Sequence, residues 1–476
     1  MRRAALALTC ALGAGCAVGP NFHRPEAPSD KGYTSQATVK SATAEGKTQQ
    51  FVEGAPIAGD WWKTLRCPQL DAIVAEALAN NPGLDSARAT LRRNQHSLSA
   101  GYGVFFPQVN AQAGASRQLY NPAPGGTLIP SSTYNLFTLS GTVSYTIDIW
   151  GGERRQVEML GAAVDAQKYA LAGAYVMLTA NVVDAVVAQA AYRAEIDATK
   201  AVLDVLREQV RLGKIQATAG TVPYSTVLSL QSQLASTEGL LPPLEDKIDQ
   251  AADLLAALTG MTPASWKIPT LALSDFHLPE DLPLSVPSQL VRQRADVLIA
   301  EAELHAANAN IGVATAAMLP NLTLTGGYGV NGTSNGSGIF WSAGAGVLAP
   351  IFHGGSLNEQ RKAAVEARNA AAADYRTTVL SAFEQVADTL RGLSHDADAV
   401  EAQSEASQTA EQAMLLIQAN YAAGIATYLQ VLSADTQFVQ AKIAYVQAVA
   451  QRLQDTVALY VALGGGWWNV PAATKG

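Results

Sequence analysis

The chain has 476 residues, 32 Lys and Arg against 40 Asp and Glu, and a formal charge of −8. That balance lacks the basic footprint of a nucleic-acid binder, and three distant cysteines, Cys10, Cys16 and Cys67, make neither a disulfide framework nor a paired metal site. An aromatic content of 7% with abundant alanine suits long helices in close approach better than a large enzyme core.

Residues 1–15 read as a secretory signal: Met1-Arg2-Arg3, an apolar run from Ala4 to Ala14, then Gly15-Cys16. The run is too short to span a bilayer as a helix. Leu12-Gly13-Ala14-Gly15-Cys16 resembles a bacterial lipoprotein signal, with Gly13 where that pattern carries leucine, so Cys16 is the expected lipid attachment point. Residues 16–59 are proline-punctuated and then polar, and read as an extended tether or a surface-laid strap.

Asp60-Trp61-Trp62 opens a first repeat over 60–258. Leu70, Ile73, Val74 and Ala77 recur at helical spacing, Asn81-Pro82 breaks the pattern, and a second helix follows. The period then drops to two. Strands are expected at about 104–116 and 134–150, joined by the turn-rich loop Asn121–Gly126. In the second strand Phe137, Leu139, Val143, Tyr145 and Ile147 share one face, while Thr138, Ser140, Thr142, Ser144, Thr146 and Asp148 share the other. One face suits an apolar medium and the other suits water.

After Trp150-Gly151-Gly152 the spacing becomes helical for a hairpin over 153–258, with seven-residue recurrences such as Val182, Ile196, Leu203 and Val210. About sixty residues at ~1.5 Å each extend roughly 90 Å, too long for an ordinary globule. Pro242-Pro243 predicts a break. Residues 259–289 read as a connector. The plan then repeats over 290–466: a helix, strands at about 319–330 and 340–352, and a helical hairpin over 356–463. Its register is the clearest in the chain, with Val379, Val386, Leu393, Val400 and Ser407 each seven apart. A tail occupies 467–476.

The expected strands have the length of tilted membrane-spanning strands, yet four cannot close a barrel, which starts near about eight. An open edge in lipid leaves backbone groups unpaired, so copies of the chain must pool their strands. Two copies give eight strands and three give twelve. The apolar helical seams likewise need neighbours.

The segments Cys16–Pro25, Asp60-Trp61-Trp62, Ala77–Pro82, Asp148–Gly151, Ala300–Gly312, Pro350–Gly355 and Leu459–Trp467 resemble the TolC-type outer-membrane factor family, in its NodT-like lipoprotein branch, over nearly the whole chain. The resemblance implies an α plus membrane-β fold in a homotrimer. Four strands per chain would enter a shared twelve-stranded barrel in outer-membrane lipid, continuous with a long periplasmic helical barrel. It implies the duct of a tripartite efflux pump, with a periplasmic adaptor and a resistance-nodulation-division transporter in the inner membrane. It implies no cofactor, no metal and no enzyme activity. The rival reading is a periplasmic coiled-coil lipoprotein, scaffold or adaptor, that never enters the membrane. Such a scaffold has no use for paired strands of lipid length.

By motif match the hairpin tips that meet the adaptor are Arg211, Leu212 and Gly213, and Tyr421, Gly424 and Ile425. Counted from Gly213 and Gly424 to the Val-Leu-Ser at Val227 and Val431, the first tip carries about seven extra residues. Where several family members narrow the aperture with aspartates, this chain has Gln430 and Ser433, with Asp435 two residues on. Closure by hydrogen bonds and packing is therefore expected, with weak block by divalent cations. Asp148 has two readings, a water-facing residue at the barrel's periplasmic rim or an acidic group favouring the start of the long helix. Gly327–Gly332 matches a dinucleotide fingerprint as a string, but a hairpin loop follows where a helix is required. Tyr169–Tyr192 is apolar enough for a membrane helix, but Asn181, Asp184 and Gln189 favour a packed helix. Glu301 and His305 share a helix face and read as a solvated pair, and Cys67 as an unpaired thiol.

Overall fold

The computed structural model describes residues 17–30, 32–34, 41–44, 47–120, 131–266 and 269–469. Cys16, the signal segment and the loop Asn121–Gly126 lie outside them. In chain order the elements are β1 (Ser41–Ala44), β2 (Lys47–Glu53), α1 (Pro68–Asn80), α2 (Pro82–Gly101), β3 (Gln108–Tyr120), β4 (Ser132–Ile147), α3 (Gly152–Thr218), α4 (Tyr224–Glu238), α5 (Leu241–Leu258), β5 (Asp281–Leu284), α6 (Pro287–Gln293), α7 (Ala295–Ala316), β6 (Asn321–Thr333), β7 (Gly336–Leu348), α8 (Ser356–Ala422) and α9 (Tyr428–Ala462). The internal repeat is close to quantitative, because α3 and α8 each contain 67 residues.

Two compact units emerge. The first comprises residues up to Pro25, Ala89–Lys168 and Ile299–Thr377. It holds a four-stranded antiparallel sheet in the order β3-β4-β6-β7. Alternating Thr, Ser and apolar residues form these strands because each face meets a different medium. Gly327–Gly332 lies inside β6. Among the described residues the edges β3 and β7 have no partner strand.

The N-terminal strap belongs to the same unit. Val18 donates its amide to Trp150 O at 2.8 Å, Asn308 Nδ2 donates to Pro20 O at 2.9 Å, and Phe22 stacks on His305 at 4.3 Å. The expected Glu301–His305 pair does not form. Glu301 accepts from Arg24 at 2.7 Å, and His305 contacts Glu158 at 2.8 Å.

The second unit spans Glu26–Arg88, Tyr169–Leu298 and Thr378–Gly476. Val379, Val386, Leu393, Val400 and Ser407 of α8 are all buried, so the seven-residue register is a packing seam. Val182, Val183, Val186 and Val187 of α3 are fully enclosed, which explains a run apolar enough to suggest a membrane helix. Trp61 stacks on Tyr460 at 5.2 Å. The break before Pro242-Pro243 falls at Gly239-Leu240, so the prolines occupy the first turn of α5, where no amide is needed. Cys67 is buried and free, and burial raises its thiol pKa.

Of the two readings of 16–59 the contacts of the described residues favour the surface-laid strap, and 259–289 is more than a plain connector. Within them β1, β2 and β5 form a second sheet, β1–β2 antiparallel and β2–β5 parallel. These strands have too few apolar residues to be seen in the sequence. They form because α8 and α9 supply the missing surface: Ala42 and Ala44 pack on Ala397 and Val400. Arg452 of α9 donates from Nε to Gln49 Oε1 at 3.0 Å and from Nη2 to Ala42 O at 3.1 Å.

Candidate functional site

Two surfaces carry the chemistry, the faces of the four-stranded sheet and the ends of the helical hairpins. Directly opposed residues of antiparallel strands share a face, so the registers define each side. Val109, Val143, Gly326 and Ala343 form one row, and Ala113, Leu139, Val330 and Ile339 another, on a side that is apolar through these rows and turns polar only at its far end, at Arg117, Asn135 and Ser337. Leu139, Ile339 and Trp341 on this side are 62%, 70% and 75% exposed, a burial that only lipid can supply. The opposite side carries Asn110, Thr142, Thr138 and Asn331, with Thr138 donating to Asn331 Oδ1 at 3.0 Å. Face assignment from the sequence and from the register agree.

The hairpin tips differ from expectation. Arg211, Leu212 and Gly213 are not a turn but lie within α3, which runs on to Thr218. Gly213 is glycine for packing, because a Cβ there would come within 2.7 Å of Leu230 on α4. The turn residue is Gly220, at φ +74°, the counterpart of Gly424 at φ +76°. Both helices end in the same way: Thr221 N donates to Gln216 O, and Ile425 N to Asn420 O, at 2.9 and 2.8 Å. Measured from the true turn glycines, Val227 and Val431 are equally distant, so the seven-residue insertion disappears. Arg211 instead binds Glu208 one turn earlier.

The aperture residues separate into three roles. Gln430 is exposed, and its Oε1 accepts from the Thr427 amide at 2.7 Å and from Thr427 Oγ1 at 3.0 Å, capping α9. Ser433 is exposed. Asp435 is only 1% exposed and does not face an opening within the protomer. It ties three helices together, accepting from Gln209 Nε2 of α3 at 2.6 Å and Gln418 Nε2 of α8 at 2.9 Å. Burial pushes its carboxyl pKa up, and the two amides oppose this. Tyr421 adds a link from its hydroxyl to Gln216 Oε1 at 3.0 Å and meets Tyr428 edge-on.

Nothing in this arrangement offers a divalent cation a free carboxylate at residues 430–435. Millimolar divalent cation is therefore expected to leave single-channel conductance nearly unchanged, and a strong block would overturn this assignment. In the same measurement Asp435→Ala is expected to raise conductance. It leaves two half-buried amides without their acceptor, at a cost toward the low end of about 1–3 kcal/mol, and loosens the tip.

Asp148 is settled toward the helix terminus. Its carboxylate accepts from the amides of Glu153 at 3.2 Å and Arg154 at 3.0 Å and pairs with Arg154 Nε at 3.1 Å. It lies just past the end of β4, not within the strand as expected, and its charge is engaged by the start of α3. Among the described residues no group of three or more His, Cys, Asp or Glu could hold a metal ion.

Comparison with known proteins converges on one family. The model for the outer membrane efflux protein family matches residues 73–261 and 286–465. The chain is 30% identical to the pyoverdine export outer membrane protein OpmQ of Pseudomonas aeruginosa, covering 98% of this chain and 97% of that protein. It is 27% identical to nodulation protein T of Rhizobium leguminosarum, over 98% and 94% of the two chains. Among solved structures the outer-membrane channel OprN superposes with a TM-score of 0.84 at 26% identity, covering 95% of this chain and all of that one. These relatives are outer-membrane efflux proteins and channels, which agrees with the expected shared barrel and removes the scaffold reading. The chain belongs to the outer membrane efflux protein family.

Proposed function

We propose that this outer-membrane efflux channel is the passive exit duct of a tripartite pump whose energised member is a resistance-nodulation-division transporter in the inner membrane. A periplasmic adaptor would join the two. The observation that carries the reading is the sheet in the order β3-β4-β6-β7, apolar on one face, polar on the other, and open at both edges. Such a sheet is stable in lipid only when closed by copies of itself, and closure encloses a water-lined path.

The adaptor is assigned to the hairpin ends at Gly220 and Gly424, not to Arg211–Gly213 themselves. Supporting this, Ile215 near the first turn and Ile425 and Leu429 at the second are 55%, 78% and 72% exposed, a concentration of apolar surface that a partner would cover. Tyr421, Gly424 and Ile425 keep their proposed contact role, and Leu212, 40% exposed, flanks the first patch. Lipidation of Cys16 rests on the lipoprotein-like signal that precedes it, Leu12-Gly13-Ala14-Gly15.

Heat-modifiable migration in detergent together with channel conductance in a planar bilayer tests the duct. A monomeric, non-conducting product would defeat it. Cross-linking in intact cells, followed by affinity capture, tests the partners: recovery of an adaptor and a transporter of the stated class supports the assignment, and capture of a transporter of another class refutes that part.

A further inference from the structure

Phe340 is an aromatic ring on the wrong side of its sheet. Its row across the strands is Gln112, Ser140, Gly329 and Phe340, which belongs to the polar face. The ring reclines across β6: a Cβ on Gly329 would lie 2.6 Å from Phe340 Cζ and 2.7 Å from Leu139 O. One ring face is therefore pressed on the sheet, and glycine is required at 329 by this close approach. On the same side its neighbours along β7 are Gly338 and Ser342, paired with Asn331 and Gly327 of β6, so the side chains beside the ring are short and polar. Phe340 is accordingly only partly buried.

Filling the space over a strand glycine accounts for one side of the ring. It does not account for an aromatic ring that stays partly exposed on the polar face, where uncovered apolar surface is unfavourable. From this geometry we infer that Phe340 is a cargo-contacting residue. It provides an aromatic platform on the barrel wall, repeated three times in the trimer, on which flat apolar or aromatic cationic molecules stack in passing. The inference rests on the reading of the polar face as the water-lined interior. Stacking on a single exposed ring is weak, which suits a duct that must release what it touches.

Labelling of a cysteine beside the ring separates this inference from the reading beneath it. Ser342 shares the face of Phe340 and lies two residues along β7. Ser342→Cys, combined with Cys67→Ser, would be treated in detergent-solubilised trimers with a water-soluble maleimide. Tetraphenylphosphonium serves as the aromatic probe and N-methylglucamine cation as the polar control. Labelling is expected, and millimolar tetraphenylphosphonium is expected to slow it at least about two-fold while the polar cation does not. Phe340→Ala should remove the slowing. Phe340→Leu, which still covers Gly329, should reduce it while the heat-modifiable trimer persists. Labelled trimers that show no slowing, or slowing that survives both substitutions, overturn the platform and leave the barrel reading intact. Trimers that do not label at all overturn the face assignment and the platform with it.

Discussion

Val143→Arg is expected to eliminate the assembled trimer from the outer membrane, while Thr142→Arg leaves it in place. Adjacent strand residues point to opposite faces, and here the faces meet lipid and water. Val143 is 42% exposed in the isolated chain and stands in the apolar row with Val109 and Gly326. Thr142 stands with Asn110 and Gly327 on the polar side. An arginine facing lipid costs about 2–4 kcal/mol near the bilayer midplane. Threefold assembly applies the cost three times, on the order of 6–12 kcal/mol, comparable with the whole stability of a domain. An arginine on the water side pays no such desolvation. Heat-modifiable trimer in outer-membrane fractions is the measurement. A Val143→Arg trimer that assembles while Thr142→Arg fails would show the faces reversed, and with them the lumen assignment of Phe340.

The same two-residue period makes the sheet legible in the amino-acid sequence alone. Alternation survives in β4 because lipid and water flank it over its full length, so local pattern and tertiary environment agree. The seven-residue seam of α8 is legible for a similar reason, since its helical neighbours demand one apolar residue every second turn. The tips are less so. Gly213 and Gly220 are the same letter in the sequence, but Gly213 exists so that Leu230 can approach and Gly220 so that the chain can reverse at positive φ. Only packing distinguishes them. The role of Asp435 is hidden in the same way, because its heptad neighbourhood does not reveal that Gln418, from the other arm of its own hairpin, and Gln209, more than two hundred residues earlier, converge on it. The hairpin of β1 and β2 is invisible because its stability resides in Arg452 and the alanine contacts of α8, not in its own residues.

Acidification is expected to strengthen the helical unit, through three aspartates that lie far apart along the chain. Asp184 of α3, Asp396 of α8 and Asp455 of α9 converge, and Asp184 Oδ1 and Asp396 Oδ2 are buried without a hydrogen-bond partner. Gly392 makes room for them, since a Cβ there would meet Asp455 Oδ2 at 2.9 Å. The nearby cation, Arg452, directs its guanidinium to Gln49 and Ala42, and Gln451 Nε2 donates to Asp455 Oδ1 at 3.0 Å. Burial, and then the charge of Asp455, pushes the Asp184 carboxyl up to about 7. Burial, then a hydrogen bond and charge from Asp455, raises Asp396 to about 7 against the pull of Arg452. Unfolded, both would titrate near the ordinary value of about 3.9. Between those values the folded chain holds more protons than the unfolded one, so stability is greatest at the acid end of the window and falls as pH rises from about 4 to 7. Partial solvent access reduces the effect to about 1–2 kcal/mol per carboxyl. Asp184→Asn and Asp396→Asn, neutral at every pH, should therefore raise the unfolding midpoint at pH 8 and change it little at pH 5, flattening the profile. Far-ultraviolet circular dichroism of detergent-solubilised trimers across that range measures it. Equal stabilisation by both substitutions at pH 5 and pH 8 would show that side-chain packing, not proton uptake, governs this junction.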